Sequence, residues 1–173
     1  MNAMRRYIRV VDGFNYGLGR IMMYGIFVLM GILLWSSYNK TFASPQLWTL
    51  EMAQFVMVGY YILGGPYALQ MGANVRMELF YAELTPRKKA WTDCITVLFL
   101  LVYLVILLWG GIESTMYSFK YGGERSPTAW RPYMWPVKVT MCIGITLMLL
   151  QAVSELFKDI LFLKSAEDTR DAL

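Results

Sequence analysis

The stretch SPQLWTLEMAQFVMVGYYILGGP, Ser44 to Pro66, is an almost unbroken apolar run that carries a carboxylate, Glu51, and an amide, Gln54, one helical turn later. In a soluble protein this would be a helix N-terminus and little more. In a bilayer a charged side chain is expensive and marks a site, a partner or a water-filled edge. The rest of the chain decides which solvent applies.

Of 173 residues, 57% are hydrophobic and only 16% charged, and the mean hydropathy is +0.43. Soluble domains average under half apolar and about a quarter charged. Aromatic residues make up 16%, with many Tyr and Trp, which suits a chain with two membrane interfaces to furnish. The composition therefore indicates one integral membrane unit. Histidine is absent, which removes the usual haem ligands, the commonest zinc ligand and the usual proton shuttle near neutral pH. The two cysteines, Cys94 and Cys142, lack C-x-x-C spacing, so neither a metal site nor a thiol oxidoreductase is indicated.

A spanning helix needs roughly 20 mostly apolar residues. Four segments qualify, at about residues 20–38, 47–69, 90–112 and 136–156. Short connections make sequential neighbours antiparallel, so the expected fold is all-α, an integral membrane four-helix bundle in a single domain covering 1–173. Basic residues collect on the cytoplasmic side of membrane proteins. The N-terminal tail, the segment between spans two and three, and the C-terminal end together hold eleven Lys and Arg, against five on the other side. Both termini are expected in the cytoplasm. About twenty residues precede the first apolar run, more than an ordinary signal-peptide n-region, so an uncleaved helix is expected despite the small residues around Thr41-Phe42-Ala43. On this topology Cys94 and Cys142 start at opposite faces, too far apart for a disulfide, and are expected as free thiols.

Between spans two and three, MGANVRMELFYAELTPRKKAW places Val75, Leu79, Phe80 and Leu84 on one side of a short helix, about 74–84. It reads as an amphipathic helix in the cytoplasmic headgroup region. Thr85-Pro86 then caps span three, and Arg87, Lys88 and Lys89 suit contact with anionic lipid. The outer segment before span four is rich in Gly, Pro, Tyr and Trp. Its Trp130 and Trp135 read as anchors in an aromatic belt, or as part of a docking surface.

Glu51 lies only about 9 Å down its helix from Pro45, near the outer face. Lys138 and Lys40 should sit at a similar height, so a shallow Glu51–Lys138 or Glu51–Lys40 pair is the economical expectation. No charged residue falls near the middle of any expected span, whereas carriers of polar solutes place polar groups or broken helices there. The pattern favours a scaffold. The alternative is an autonomous small proton-coupled transporter with Glu51 as its titrating group.

Taken together, these residues resemble the small membrane subunit, DctQ-like, of tripartite ATP-independent periplasmic (TRAP) transporters, over about residues 10–160. The likeness rests on four spans with cytoplasmic ends and on W-x-x-E, Trp48 to Glu51, opening span two. It continues with a glycine-containing end to that span and with G-x-N-V-R-M-E, Gly72 to Glu78. There Arg76 and Glu78 fit the family pattern, while Asn74 stands where a histidine is common. Ser126 and a Trp/Pro stretch precede a Pro-headed span four. The resemblance implies a non-enzymatic scaffold in the bacterial inner membrane without cofactors of its own. It would brace a large multi-span subunit that carries the substrate and sodium sites. A periplasmic binding protein would deliver an organic acid to that subunit. Trp48, Glu51, Arg76, Glu78 and Lys138 are the candidate partner-binding or structural residues, and membrane lipids are further partners.

Overall fold

The computed structural model describes residues 2–44, 46–72, 86–121 and 124–171. Five helices account for nearly all of them: α1 (Asn2–Met23), α2 (Gly25–Phe42), α3 (Trp48–Gln70), α4 (Pro86–Lys120) and α5 (Trp135–Asp171). Among the described residues there is no strand. The family of helices is all-α and membrane-like, with three units long and apolar enough to cross a bilayer: Met4–Phe42, Trp91–Lys120 and Trp135–Leu163. At 23 residues α3 is also long enough, but Glu51, Gln54 and Gln70 dilute its apolar character.

The first expected span, 20–38, proves to be two helices meeting at Tyr24. There the backbone switches to shorter i→i+3 bonds, Tyr24 N–H to Ile21 C=O at 3.1 Å and Phe27 N–H to Tyr24 C=O at 3.0 Å. Gly25 follows, and a β-carbon on it would stand 3.3 Å from the Tyr60 ring, so the break sits where α3 comes close. The two halves consequently take different neighbours. Helix α2 packs beside α3, whereas α1 lies against both α3 and α5.

Close backbone approach fixes the centre of the fold. Facing residues run in step along α3 and α5: Gly59 with Thr140, Ile62 with Gly144, and Gly65 with Met148, so these two helices are parallel. A β-carbon on Gly144 would collide with the Ile62 side chain and stand 3.0 Å from its carbonyl oxygen. That carbonyl is special, because Pro66 four residues on has no N–H to donate to it. Proline and glycine thus cooperate: one frees a carbonyl, and the other lets the neighbouring helix come up against it. Helix α3 nevertheless continues through Gly64-Gly65-Pro66 to Gln70 and ends at Gly72, whose φ of +66° is a left-handed cap.

Helix α4 packs antiparallel on α5, with Lys138 at Ser114 and Cys142 against Gly111. The apolar core follows this seam, around Leu69, Leu104, Ile145 and Ala152. Packing proceeds in the order α4, α5, α3, α2, so the bundle is flattened into a row, with α1 bridging α5 and α3 at one end. Both outer helices present apolar side chains outward, including Phe99 at 71% and Trp109 at 75% exposure. Lipid tails or another membrane protein are the natural solvent for such a surface.

The expected interfacial helix at 74–84 lies outside the described residues. Residues 124–134, expected on the outer side, close on themselves: Ser126 N–H bonds Pro132 C=O and Met134 N–H bonds Glu124 C=O, both at 3.0 Å. They deliver the chain directly into α5. Cys94 and Cys142 are both free thiols.

Replacing Gly144 by leucine should destabilise the purified chain by about 1–3 kcal/mol through overpacking, measured as a lowered thermal midpoint in detergent. Gly13→Ala, with open space around its β-carbon, should leave that midpoint unchanged or raise it slightly.

Candidate functional site

Burial in this chain runs opposite to that of a water-soluble protein. Among the described residues the deeply buried side chains include Asn15, Ser36, Asn39, Thr49, Glu51, Thr115, Ser118, Gln151 and Ser154, while large aliphatic and aromatic side chains face out. In a low-dielectric solvent each inward polar group must find a partner inside the protein. Two polar clusters result, one at each end of α3.

The larger cluster joins α1, α3 and α5. Gln151, fully buried, is its hub: it accepts a hydrogen bond from Asn15 Nδ2 at 2.7 Å and donates to Asp12 Oδ1 at 2.9 Å and Glu155 Oε1 at 3.0 Å. Ser154 also donates to Asp12 Oδ1, at 2.9 Å. Lys158 reaches Asp12 Oδ2 and Glu155 Oε1, each at 2.7 Å. Gln70, at the end of α3, donates to the Asp12 backbone carbonyl at 3.3 Å, and Tyr7 donates to the Leu150 carbonyl at 3.2 Å. A half-buried charge-assisted network of this kind holds three helices in register, because any slip strands several groups at once. Asn15 Oδ1 and Gln70 Oε1 remain without partners.

The sequence reading missed this cluster because it sought isolated charges near span centres. The signal was helical spacing. Asp12, Asn15 and Gly19 fall at i, i+3 and i+7 on one face of α1, and Gln151, Ser154, Glu155 and Lys158 fall at i, i+3, i+4 and i+7 on α5.

The smaller cluster lies beside two of the residues singled out from sequence, Trp48 and Glu51. Ser36 of α2 and Thr49 of α3 share a hydrogen bond of 3.0 Å, and Asn39 donates back to the Trp35 carbonyl at 2.8 Å. Trp48 donates its indole N–H to Gln46 at 2.9 Å, so it fixes the entry into α3. Glu51 is only 6% exposed, and its Oε2 has no hydrogen-bond partner.

The expected Glu51–Lys138 pair is not formed. Lys138 instead pairs with Glu124 and donates to the Ser114 carbonyl at 3.4 Å. The reason is both register and azimuth: with Gly59 level with Thr140, Glu51 lies eight residues and Lys138 two residues back from that level, about 9 Å apart along the axis. Thr140 marks the side of α5 that faces α3, and Lys138, two residues earlier, lies about 160° around the helix, toward α4. Lys40 is exposed and makes no salt bridge to Glu51 either. Glu51 itself lies within about 20° of Ile62 on the helical wheel of α3, hence on the side facing α5, just beyond the first turn of that helix.

The remaining expected positions are not brought together with these. Arg76 and Glu78 lie outside the described residues, as does the side chain of Arg87. Lys88 is exposed and Lys89 half-buried near the start of α4, while Trp130 and Trp135 are each 42% exposed at the other end of the row. Trp135 packs against Phe119 with ring centroids 5.9 Å apart. Arg125 donates to the Tyr133 hydroxyl at 2.7 Å and lies over that ring, so the outer loop is braced by its own side chains. Among the described residues no cluster of acidic and cysteine side chains could hold a metal ion.

Removing the hub should be costly. Gln151→Ala leaves Asn15 and Asp12 short of partners and should lower stability by about 1–3 kcal/mol. A double-mutant cycle on Asp12 and Lys158, both to Ala, should return a coupling energy near the lower end of the ~0.5–3 kcal/mol range for contacting residues, since both side chains are partly exposed. Thermal unfolding in detergent measures both.

No curated protein matches the chain in sequence. A family does: residues 29–162, from within α2 to near the end of the apolar part of α5, match the DctQ component of tripartite ATP-independent periplasmic transporters. With most of its length matched, and with three long apolar helices and an inverted burial pattern, this membrane chain belongs to the DctQ family of TRAP transporter components.

Proposed function

We propose that this chain is the small scaffold subunit of a sodium-coupled, binding-protein-dependent TRAP transporter for organic acids, and that it braces the large transport subunit in the bacterial inner membrane. The observation that carries the reading is the flattened row. Its helix seams are closed by direct contact, with Gly144 against Ile62 and Gly65 against Met148. Its outer helices spread apolar surface sideways. A plate of this shape enlarges a partner's footprint in the bilayer and resists tilting, which is what a neighbour that slides across the membrane needs from its fixed frame. In this reading substrate and sodium bind to the large subunit, the chain itself is neither catalytic nor cofactor-bearing, and both termini face the cytoplasm.

Trp48, Glu51 and Lys138 would serve structure or partner contact at the periplasmic end, and Arg76 and Glu78 at the cytoplasmic end. Lys88, Lys89, Trp130 and Trp135 would hold the plate at fixed depth, together with Arg87. One observation favours the autonomous alternative: Glu51 is buried and its Oε2 has no hydrogen-bond partner.

Vesicle reconstitution separates the two. Sodium-driven uptake, assayed with a panel of radiolabelled organic acids, should require this chain, the large subunit and the binding protein together. Glu51→Gln should reduce co-purification of the large subunit or change little. Proton-driven uptake by this chain alone, lost on Glu51→Gln, would overturn the scaffold reading.

A further inference from the structure

Helix α1 divides its exposed half between charge and grease. At about 100° per residue, Arg5, Arg9 and Arg20 fall within about 60° of one another around the axis, while Val10, Phe14 and Ile21 fall within about 40° on the adjoining side. All three arginines are exposed, and so are Val10 at 64%, Phe14 at 59% and Ile21 at 64%. The inward face, formed by Asp12, Asn15 and Gly19, adjoins the arginine arc, with Asp12 about 20° from Arg5 on the wheel. The single acidic residue of α1, Asp12, points into the bundle and is paired with Lys158. Among the described residues Arg5, Arg9 and Arg20 make no salt bridge, and Arg20 lies over the Tyr16 ring at 5.9 Å. The charge on the exposed arc is therefore uncompensated.

We propose that this arc is a binding site for the phosphates of anionic lipids, with Arg5, Arg9 and Arg20 taking headgroups and the Val10–Phe14–Ile21 edge lying against the acyl chains. The occupant must bring negative charge and hydrocarbon side by side, and in an anionic phospholipid the two are joined in one molecule. The guanidinium fork matches phosphate oxygens in a bidentate manner. A basic amphipathic helix next to a membrane span is a recognised form of anionic-lipid surface. The stripe runs about 22 Å from Arg5 to Arg20, so separate phosphates can be engaged along it. An acidic protein segment would meet the arginines but leave the apolar edge without a matching partner. The site precedes the family-matched region 29–162 and rests on the membrane setting of the chain, not on its role in transport.

The test titrates the delipidated full-length chain with cardiolipin, phosphatidylglycerol or phosphatidylcholine and counts bound lipids by native mass spectrometry. The unsubstituted chain should prefer the two anionic lipids. The triple variant Arg5→Gln, Arg9→Gln, Arg20→Gln should bind them at least tenfold more weakly, given about fivefold per basic residue, with phosphatidylcholine binding unchanged. The corresponding triple lysine variant should keep most of the affinity, and Lys40→Gln, at an exposed position on α2, should change it less than twofold.

Arginine modification by phenylglyoxal supplies a readout that needs no variant. Phosphatidylglycerol vesicles should protect Arg5, Arg9 and Arg20 more than phosphatidylcholine vesicles do, and raised salt should weaken the protection. Equal lipid binding by the glutamine variant, or equal protection in the two vesicle types, would overturn the proposal. So would protection that appears only with the large subunit, which would identify an acidic protein surface as the occupant. Because lipid binding and protection are read without any transport assay, these outcomes are independent of whether the chain supports uptake.

Discussion

A hydrogen bond that cannot be traded for one to water is the constraint on which this fold depends. Within hydrocarbon, the amide of Gln151 can be satisfied only by other protein groups, and it takes them from two helices, Asn15 and Asp12 on α1 and Glu155 on α5. Hydrophobic burial does not drive such helices together, since lipid tails are as apolar as leucine. What selects one arrangement is the loss incurred when several polar groups are left unpaired together, combined with tight backbone contact. The two devices are placed in sequence along α5: Gly144 and Met148 pack on α3, and one turn later Gln151, Ser154 and Lys158 collect α1.

The row follows from how those contacts are distributed. Helices α5 and α3 each pack on three others, α5 on α4, α3 and α1, and α3 on α5, α1 and α2. Helix α2 is attached through α3 by the Ser36–Thr49 bond, and α4 through α5 by Thr115, Cys142 and the Leu104–Ile145 seam. The break at Tyr24 makes the layout possible.

Much of the architecture was legible in the sequence, because a bilayer imposes length and composition on whatever crosses it. The helical class, the family and the free thiols could all be read from apolar runs and motif order. The polar interior was not, for a definable reason. Asp12 and Asn15 lie in the arginine-rich N-terminal segment, which read as a cytoplasmic tail, and Lys158 sat among residues counted only for their charge. Their meaning depends on which helix faces which, information that appears only when α1 is docked. The Glu51–Lys138 expectation failed on the same point. Position along a helix can be counted from sequence, but the register between two helices and the direction a side chain takes around its helix both need a neighbour as reference. Lys138 had a nearer acid in Glu124, carried on a loop whose closure was not readable from its Gly, Pro and aromatic content.

The length of α4 has a mechanical consequence. Its membrane-crossing unit Trp91–Lys120 is 30 residues, about 45 Å of helix against a hydrocarbon thickness of about 30 Å, with Asp93, Glu113 and Lys120 toward its ends. It must therefore lean, or carry its ends beyond the oil. Because α4 is fastened along α5, and α5 along α3, leaning is not a private matter for one helix but turns the whole plank. Membrane thickness thereby becomes an input to the angle at which this protein meets whatever stands next to it.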